Sequence, residues 1–241
     1  MTACTLDRKW ILFDMDGTLI RVGPAHREGV RVALQKVYGI EPQLNPQGYQ
    51  GDTGPNILRA QCRARGLSPD VIEANLPAAI QLQSCTTLRV LPEDLTGAVL
   101  PGVVSLLQAL HERGHVLGLV TGTVSTTTRA LLQRARLWDR FSVCACGDEG
   151  RERVDLVRLV IARAAEMCSF RPSPGGLVVI GDAPRDIEAG KAVGARMVAV
   201  ATGEYSVELL TEHSPDFVLP SLSDTQAALQ AILGHEGEHN L

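Results

Sequence analysis

Apolar residues along this chain follow two rhythms. Short continuous runs at Trp10 to Phe13, Val116 to Val120, Phe141 to Cys146, Leu177 to Ile180, Met197 to Ala201 and Phe217 to Leu219 read as buried strands. Between them lie segments of helical spacing: Gly102 to Arg113, Ser125 to Ala135, Val154 to Met167, Asp186 to Val193, Val207 to Glu212 and Asp224 to Leu233. Apolar strands alternating with helices predict an α/β fold with a parallel sheet covered on both faces. The stretch from Gly23 to Val99 breaks this alternation, because it carries no convincing β pattern. There His26 to Tyr38 places Val30, Leu34 and Val37 on one helical face, with Gly39 as a stop. Asn56 to Arg65, ended by Gly66, and Pro69 to Leu82 read as two more helices. The expectation is a discontinuous core, residues 1–22 and 98–241, with a small helical domain, residues 23–97, inserted between its halves. The tail from Gly234 to Leu241 is expected to fray.

The chain has 241 residues, 45% of them apolar, enough for one domain plus a sizeable insertion. A net charge of −4 leaves no electrostatic footprint for nucleic acid or an anionic membrane. No apolar run is long enough to span a bilayer, and Met1 to Lys9 lacks the apolar stretch of a signal peptide. A cytoplasmic location is therefore expected. Of six cysteines only Cys144 and Cys146 are close, one residue apart on an apparent strand, where they point the same way. With no second pair nearby they read as buried free thiols rather than a zinc site. Only three of the 23 basic residues are lysines: Lys9, Lys36 and Lys191.

The chemistry concentrates where strands end. The first apolar run passes directly into Asp14-Met15-Asp16-Gly17-Thr18. A buried strand ending in two carboxylates needs a cation, since burying unpaired charge costs several kcal/mol, and a divalent metal is the economical one. Gly17 and Thr18 then turn the chain away from the strand. The second core strand ends in Thr121-Gly122-Thr123, where a hydroxyl and backbone N–H groups can grip a phosphoryl oxygen or simply cap a helix. The fourth runs into Gly181-Asp182, with Asp186 four residues on at a helix start, so both carboxylates can face the strand end.

The segment Asp14 to Thr18 resembles the first motif of the haloacid dehalogenase superfamily of phosphohydrolases, and Gly181-Asp182 with Asp186 resembles that family's metal motif. The resemblance covers nearly the whole chain, in four short motifs in the family's order. It implies a Rossmann-like three-layer core with a parallel sheet and an inserted α-helical cap of the type 1 class. It further implies that Asp14 is the nucleophile that forms an aspartyl-phosphate, and Asp16 the general acid/base. Thr121 and Gly122 would hold phosphoryl oxygens. Mg²⁺ would be bound by Asp14, the Asp16 backbone carbonyl and Asp182, with Asp186 supporting it directly or through water. The family's third motif supplies a lysine, sometimes an arginine, and no lysine stands there. Arg153, in an Arg-x-x-Leu pattern with Leu156, is the candidate for the catalytic and phosphate-binding cation, and Arg151 the runner-up. Lys191 falls in the helix after the metal motif and reads as an exposed lysine.

The retained Asp16 argues against dehalogenation. The position of Lys36, the one cap lysine, argues against Schiff-base phosphonate chemistry. Phosphoglycolate phosphatase-like relatives carry Gly-x-Thr-Asp-Pro followed by Ile-Leu in the cap. Here Gly51-Asp52-Thr53-Gly54-Pro55-Asn56-Ile57-Leu58 places Gly54 where that Asp stands. The expectation is a Mg²⁺-dependent phosphatase of a small phosphorylated metabolite, phosphoglycolate phosphatase-like. A β-phosphoglucomutase-like mutase and a non-catalytic binding protein are the alternatives. Substrate and oligomeric state stay open, and His26 reads as a helix-start residue within reach of substrate.

Overall fold

The computed structural model describes residues 8–43 and 49–234. Cys4 and most of the tail expected to fray lie outside the described residues. Six strands form one parallel sheet in the order β3-β2-β1-β4-β5-β6. These are β1 (Trp10–Phe13), β2 (Val116–Val120), β3 (Val143–Ala145), β4 (Leu177–Gly181), β5 (Arg196–Val200) and β6 (Phe217–Leu219). The central register sets Leu12 between Gly118 of β2 and Val179 of β4.

Strand pleating divides the core. Ile11 and Phe13 join Leu117, Leu119, Val178, Ile180, Val198 and Val200 on one face of the sheet. Three helices cover that face: α4 (Val103–Glu112), α5 (Ser125–Arg134) and α9 (Thr225–Leu233). Trp10 and Leu12 point the other way, to α6 (Arg153–Met167), α7 (Pro184–Lys191) and α8 (Val207–Glu212). This alternation makes every central strand apolar at nearly every position, as a sheet buried on both faces requires. Truncating a side chain such as Phe13, which is wholly buried, would cost about 3–5 kcal/mol.

Between β1 and α4 stand α1 (Gly23–Ala33), α2 (Gly54–Ala64) and α3 (Pro69–Val90). Their facing residues Val30, Leu34, Leu58, Cys62, Ile72 and Leu76 form a third apolar cluster. A π-helical turn, Leu34–Tyr38, continues α1 and stops at Gly39 in a left-handed conformation. Helix α3 runs eight residues beyond the expected Leu82. The expected strand Phe141 to Cys146 is confined to Val143–Ala145, since only β2 pairs with it at the sheet edge. Cys146 is buried as expected, whereas Cys144 at that edge is half-buried, and both are free thiols. Among the described residues no helix is long and apolar enough to cross a membrane.

The strand order reverses around β1. The chain steps from β1 out to β2 and β3, then crosses back to β4 on the other side. In such sheets the crevice at the carboxyl ends of the strands flanking the switch is where ligands sit. Asp14, Thr121 and Asp182 follow the neighbouring strands β1, β2 and β4.

Candidate active site

Asp14, Asp182 and Asp186 are all buried, with carboxylate oxygens within 4.8 Å of one another. One buried cation, Arg153, faces them. Its Nη2 donates to Asp14 Oδ1 and to Asp186 Oδ1, the latter at 2.6 Å. Burial disfavours the guanidinium charge, but Asp186 and Asp14 more than offset it and hold Arg153 firmly protonated. Its Nη1 is buried with no hydrogen-bond partner among the described residues. Arg153 opens α6, and Leu156 three residues on is wholly buried, which pins that first turn inward. Arg151 is exposed, and its carbonyl accepts a hydrogen bond from Asn56 Nδ2. Of the two arginines, Arg153 is the one the fold brings to the carboxylates.

Local geometry explains the other placements. Gly17 has φ +91, and a Cβ there would lie 2.3 Å from Asp182 Oδ2, so glycine alone lets the β1 turn and the β4 turn meet. Thr18 Oγ1 donates to Asp182 Oδ1 at 3.3 Å, and Gln50 Nε2 to Asp182 Oδ2 at 2.8 Å. Asp186 sits in the first turn of α7 and accepts from the Ala183 N–H at 3.2 Å through Oδ2. Helix α7 begins at Pro184, two residues before the expected start, because Pro fixes the first-turn geometry. Thr121 is buried, and its hydroxyl accepts from the Thr123 N–H at 3.2 Å. Lys191 is exposed as expected, its ammonium donating to the His213 carbonyl at 2.7 Å.

Burial lifts Asp182 well above the usual carboxylate range, reinforced by Asp14 and Asp186. Burial also raises Asp186, to about 6, against the opposing pull of Arg153. Three buried carboxyl groups against one cation cannot all ionise without further positive charge. A hard divalent cation suits that oxygen-only set, and the carboxylates fit such an ion. Asp16 differs from these. Its Oδ1 accepts from the Val22 N–H at 2.9 Å, and burial raises its pKa, with His26 opposing and Asp14 adding. His26 is itself held below the usual imidazole value by burial, and its Nε2 lies 3.5 Å from Thr123 Oγ1.

A cavity of about 140 Å³ opens over this cluster, walled by Asp14, Asp16, Thr121, Gly122 and Arg153 on the core side. The helical insertion closes it. The Gly54 N–H donates to the Gly122 carbonyl at 2.8 Å. A Cβ on Gly122 would lie 2.0 Å from the Asp52 carbonyl oxygen. Arg185 Nη1 donates to the Gln50 carbonyl at 3.2 Å, and its Nη2 lies 3.6 Å from Asp52 Oδ2. Gln50, Gln83 and Arg185 carry no motif by which the sequence could have marked them.

Residues 8–194 match the family of haloacid dehalogenase-like hydrolases. The chain belongs to that family. It is similar to the phosphoglycolate phosphatase of Synechococcus elongatus, 29% identical over 92% of this chain and 98% of that protein. The phosphoglycolate phosphatase of Salmonella typhimurium is 30% identical, covering 91% of each chain. Among solved structures, a β-phosphoglucomutase from Clostridium difficile superposes with a TM-score of 0.75 over 94% of this chain and 97% of that one, at 16% identity. At that identity the likeness speaks for the fold alone.

Proposed function

We propose that this hydrolase is a Mg²⁺-dependent phosphatase that cleaves a small phosphomonoester through an aspartyl-phosphate on Asp14. The observation that carries the reading is the buried cluster in which Arg153 bridges Asp14 and Asp186 beside Asp182, with Asp16 set apart and raised in pKa. Asp14, the Asp16 carbonyl, Asp182 and Asp186 would hold the metal, directly or through water. When bound, it supplies charge neutralisation for the phosphoryl oxygens.

An Asp14 carboxylate oxygen attacks phosphorus, and the bond to the leaving oxygen breaks. Asp16, whose hold on a proton is strengthened by burial, gives its proton to the departing alkoxide. It then takes a proton from the water that attacks the aspartyl-phosphate, which returns Asp14 and frees phosphate. Arg153 and the Thr121–Gly122 turn hold the phosphoryl oxygens, and the unpartnered Arg153 Nη1 is a donor available for one of them. Residues 23–97 act as a cap that excludes water, with the core formed by residues 1–22 and 98–241. Free thiols at Cys62, Cys85, Cys144, Cys146 and Cys168 suit a cytoplasmic setting.

The test is phosphate release from p-nitrophenyl phosphate with Mg²⁺ and with chelator, for wild type and Asp14→Asn. Mg²⁺-dependent release, reduced about 10⁴-fold in the variant, is the expected result. Equal release by the two proteins would remove Asp14 from the chemistry. Isomerised sugar phosphate without net phosphate release would instead support a mutase.

A further inference from the structure

Resting on the phosphatase reading, we propose that the cap side of the cavity, built around Gln83 and Gly54, receives a neutral hydroxylated leaving group, so that the substrate is a polyol or sugar phosphate rather than a carboxylated ester such as phosphoglycolate. The first observation is the charge in the cavity wall. Beyond Arg153, which the carboxylates already engage, the one arginine or lysine lining the cavity among the described residues is Arg27. Arg27 is tied to Glu204 at 3.1 Å and is partly open to solvent. On the cap side, the other charged side chain among the described lining residues, Asp52, is acidic. Leu44 to Gly48, outside the described residues, contains no charged side chain. A substrate carboxylate would face Asp52 and would have to share Arg27 with Glu204.

The second observation is what does face the cavity. Gln83 and Ser84 of α3 line it, half-buried, and their side chains make no hydrogen bond among the described residues. An amide offers two donors and an acceptor, and a serine hydroxyl one donor and an acceptor, which is the complement of substrate hydroxyls. Val30, Ile57 and Val124 supply apolar wall for a carbon skeleton. The third observation is the space beside Gln83. Gly54 lacks the side chain that would occupy it, and a Cβ there would stand 3.4 Å from Gln83 Nε2. Sites that hydrogen-bond a substrate hydroxyl discriminate strongly against analogues that leave those groups unpaired.

The experiment compares kcat/KM for glycerol 3-phosphate and 3-phosphoglycerate with Mg²⁺, in wild type, Gln83→Leu and Gly54→Ala, with p-nitrophenyl phosphate as a third ester. Wild type is expected to favour glycerol 3-phosphate over 3-phosphoglycerate by about tenfold or more. Gln83→Leu is expected to lower kcat/KM for glycerol 3-phosphate about tenfold more than for p-nitrophenyl phosphate, chiefly through KM. Gly54→Ala, whose added methyl makes only ordinary contacts, should move the same ratio in the same direction without loss of thermal stability. Preference for 3-phosphoglycerate, or one common loss factor for all three esters in both variants, would overturn the inference while leaving the phosphatase reading standing. No phosphate release from any ester by folded wild type would overturn the phosphatase reading and this inference with it.

Discussion

Replacing Arg153 by methionine isolates the charge balance of the site. Arg153 is 6% exposed, and its guanidinium is the bridge between Asp14 and Asp186, with Asp182 in the same cluster. Methionine keeps much of the volume and removes the charge. Deleting one partner of a buried pair costs about 3–5 kcal/mol, because the group left behind stays buried without compensation. For a chain of this size that corresponds to a fall in Tm of about 10 °C, at about 2–4 °C per kcal/mol. Urea denaturation in chelator, followed by circular dichroism, measures the loss. The companion expectation has the opposite sign. With Arg153 gone the carboxyl cluster loses its counter-charge, so saturating Mg²⁺ should stabilise the variant more than the wild type. The loss in chelator should also shrink at pH 5, where Asp182 and Asp186, both raised in pKa, take up protons. A loss below about 1 kcal/mol in chelator, or an equal loss with and without Mg²⁺, would refute the claim that Arg153 and a metal share the task of neutralising these carboxylates.

The metal-free wild type should lose stability as pH rises from 5 to 7, with thermal melts in chelator as the readout. The folded pKa of Asp186, about 6, lies above its ordinary value of 3.8, so its contribution is present at low pH and lost as pH rises through 6. Asp182 and Asp16 are raised and act in the same direction. His26, lowered, opposes them below its ordinary 6.5, and three carboxylates outweigh one imidazole. A stability that climbs across this window would contradict the raised carboxylates, and Asp186→Asn should flatten the slope. Gly122→Ala would force a Cβ to 2.0 Å from the Asp52 carbonyl, which the backbone can relieve only by lifting the insertion's loop away from β2. The expected outcome is a stability loss of about 1–3 kcal/mol with a raised KM, and unchanged KM together with unchanged Tm would show that the loop does not close on this turn.

The sequence carried the clustered acidic residues and the strands that present them because both obey rules local to a few residues. Trp10 to Phe13 and Leu177 to Ile180 are apolar at every position, which only a strand covered on both faces needs, and the acidic residues follow immediately. Arg153 was legible only as a resemblance, the Arg-x-x-Leu pattern with Leu156, and the structure supplies the physical reason: the wholly buried Leu156 turns the arginine of that first turn inward. What did not show was the end of α3. The pattern of apolar residues stops at Leu82, yet the helix continues to Val90. Reading polar residues as the end of a buried face assumes that the opposite of core is solvent. Here Gln83, Ser84 and Thr87 face the cavity, and Thr86 is buried. The same stretch that ended the helical signal is where the helix lines the cavity, so the failure of periodicity marks the residues that face it. The Gly54–Gly122 and Arg185–Asp52 contacts were hidden for a related reason. They join segments distant in sequence, one through a backbone N–H and carbonyl and the other through a guanidinium and a carboxylate, and neither leaves a spacing that a single chain displays.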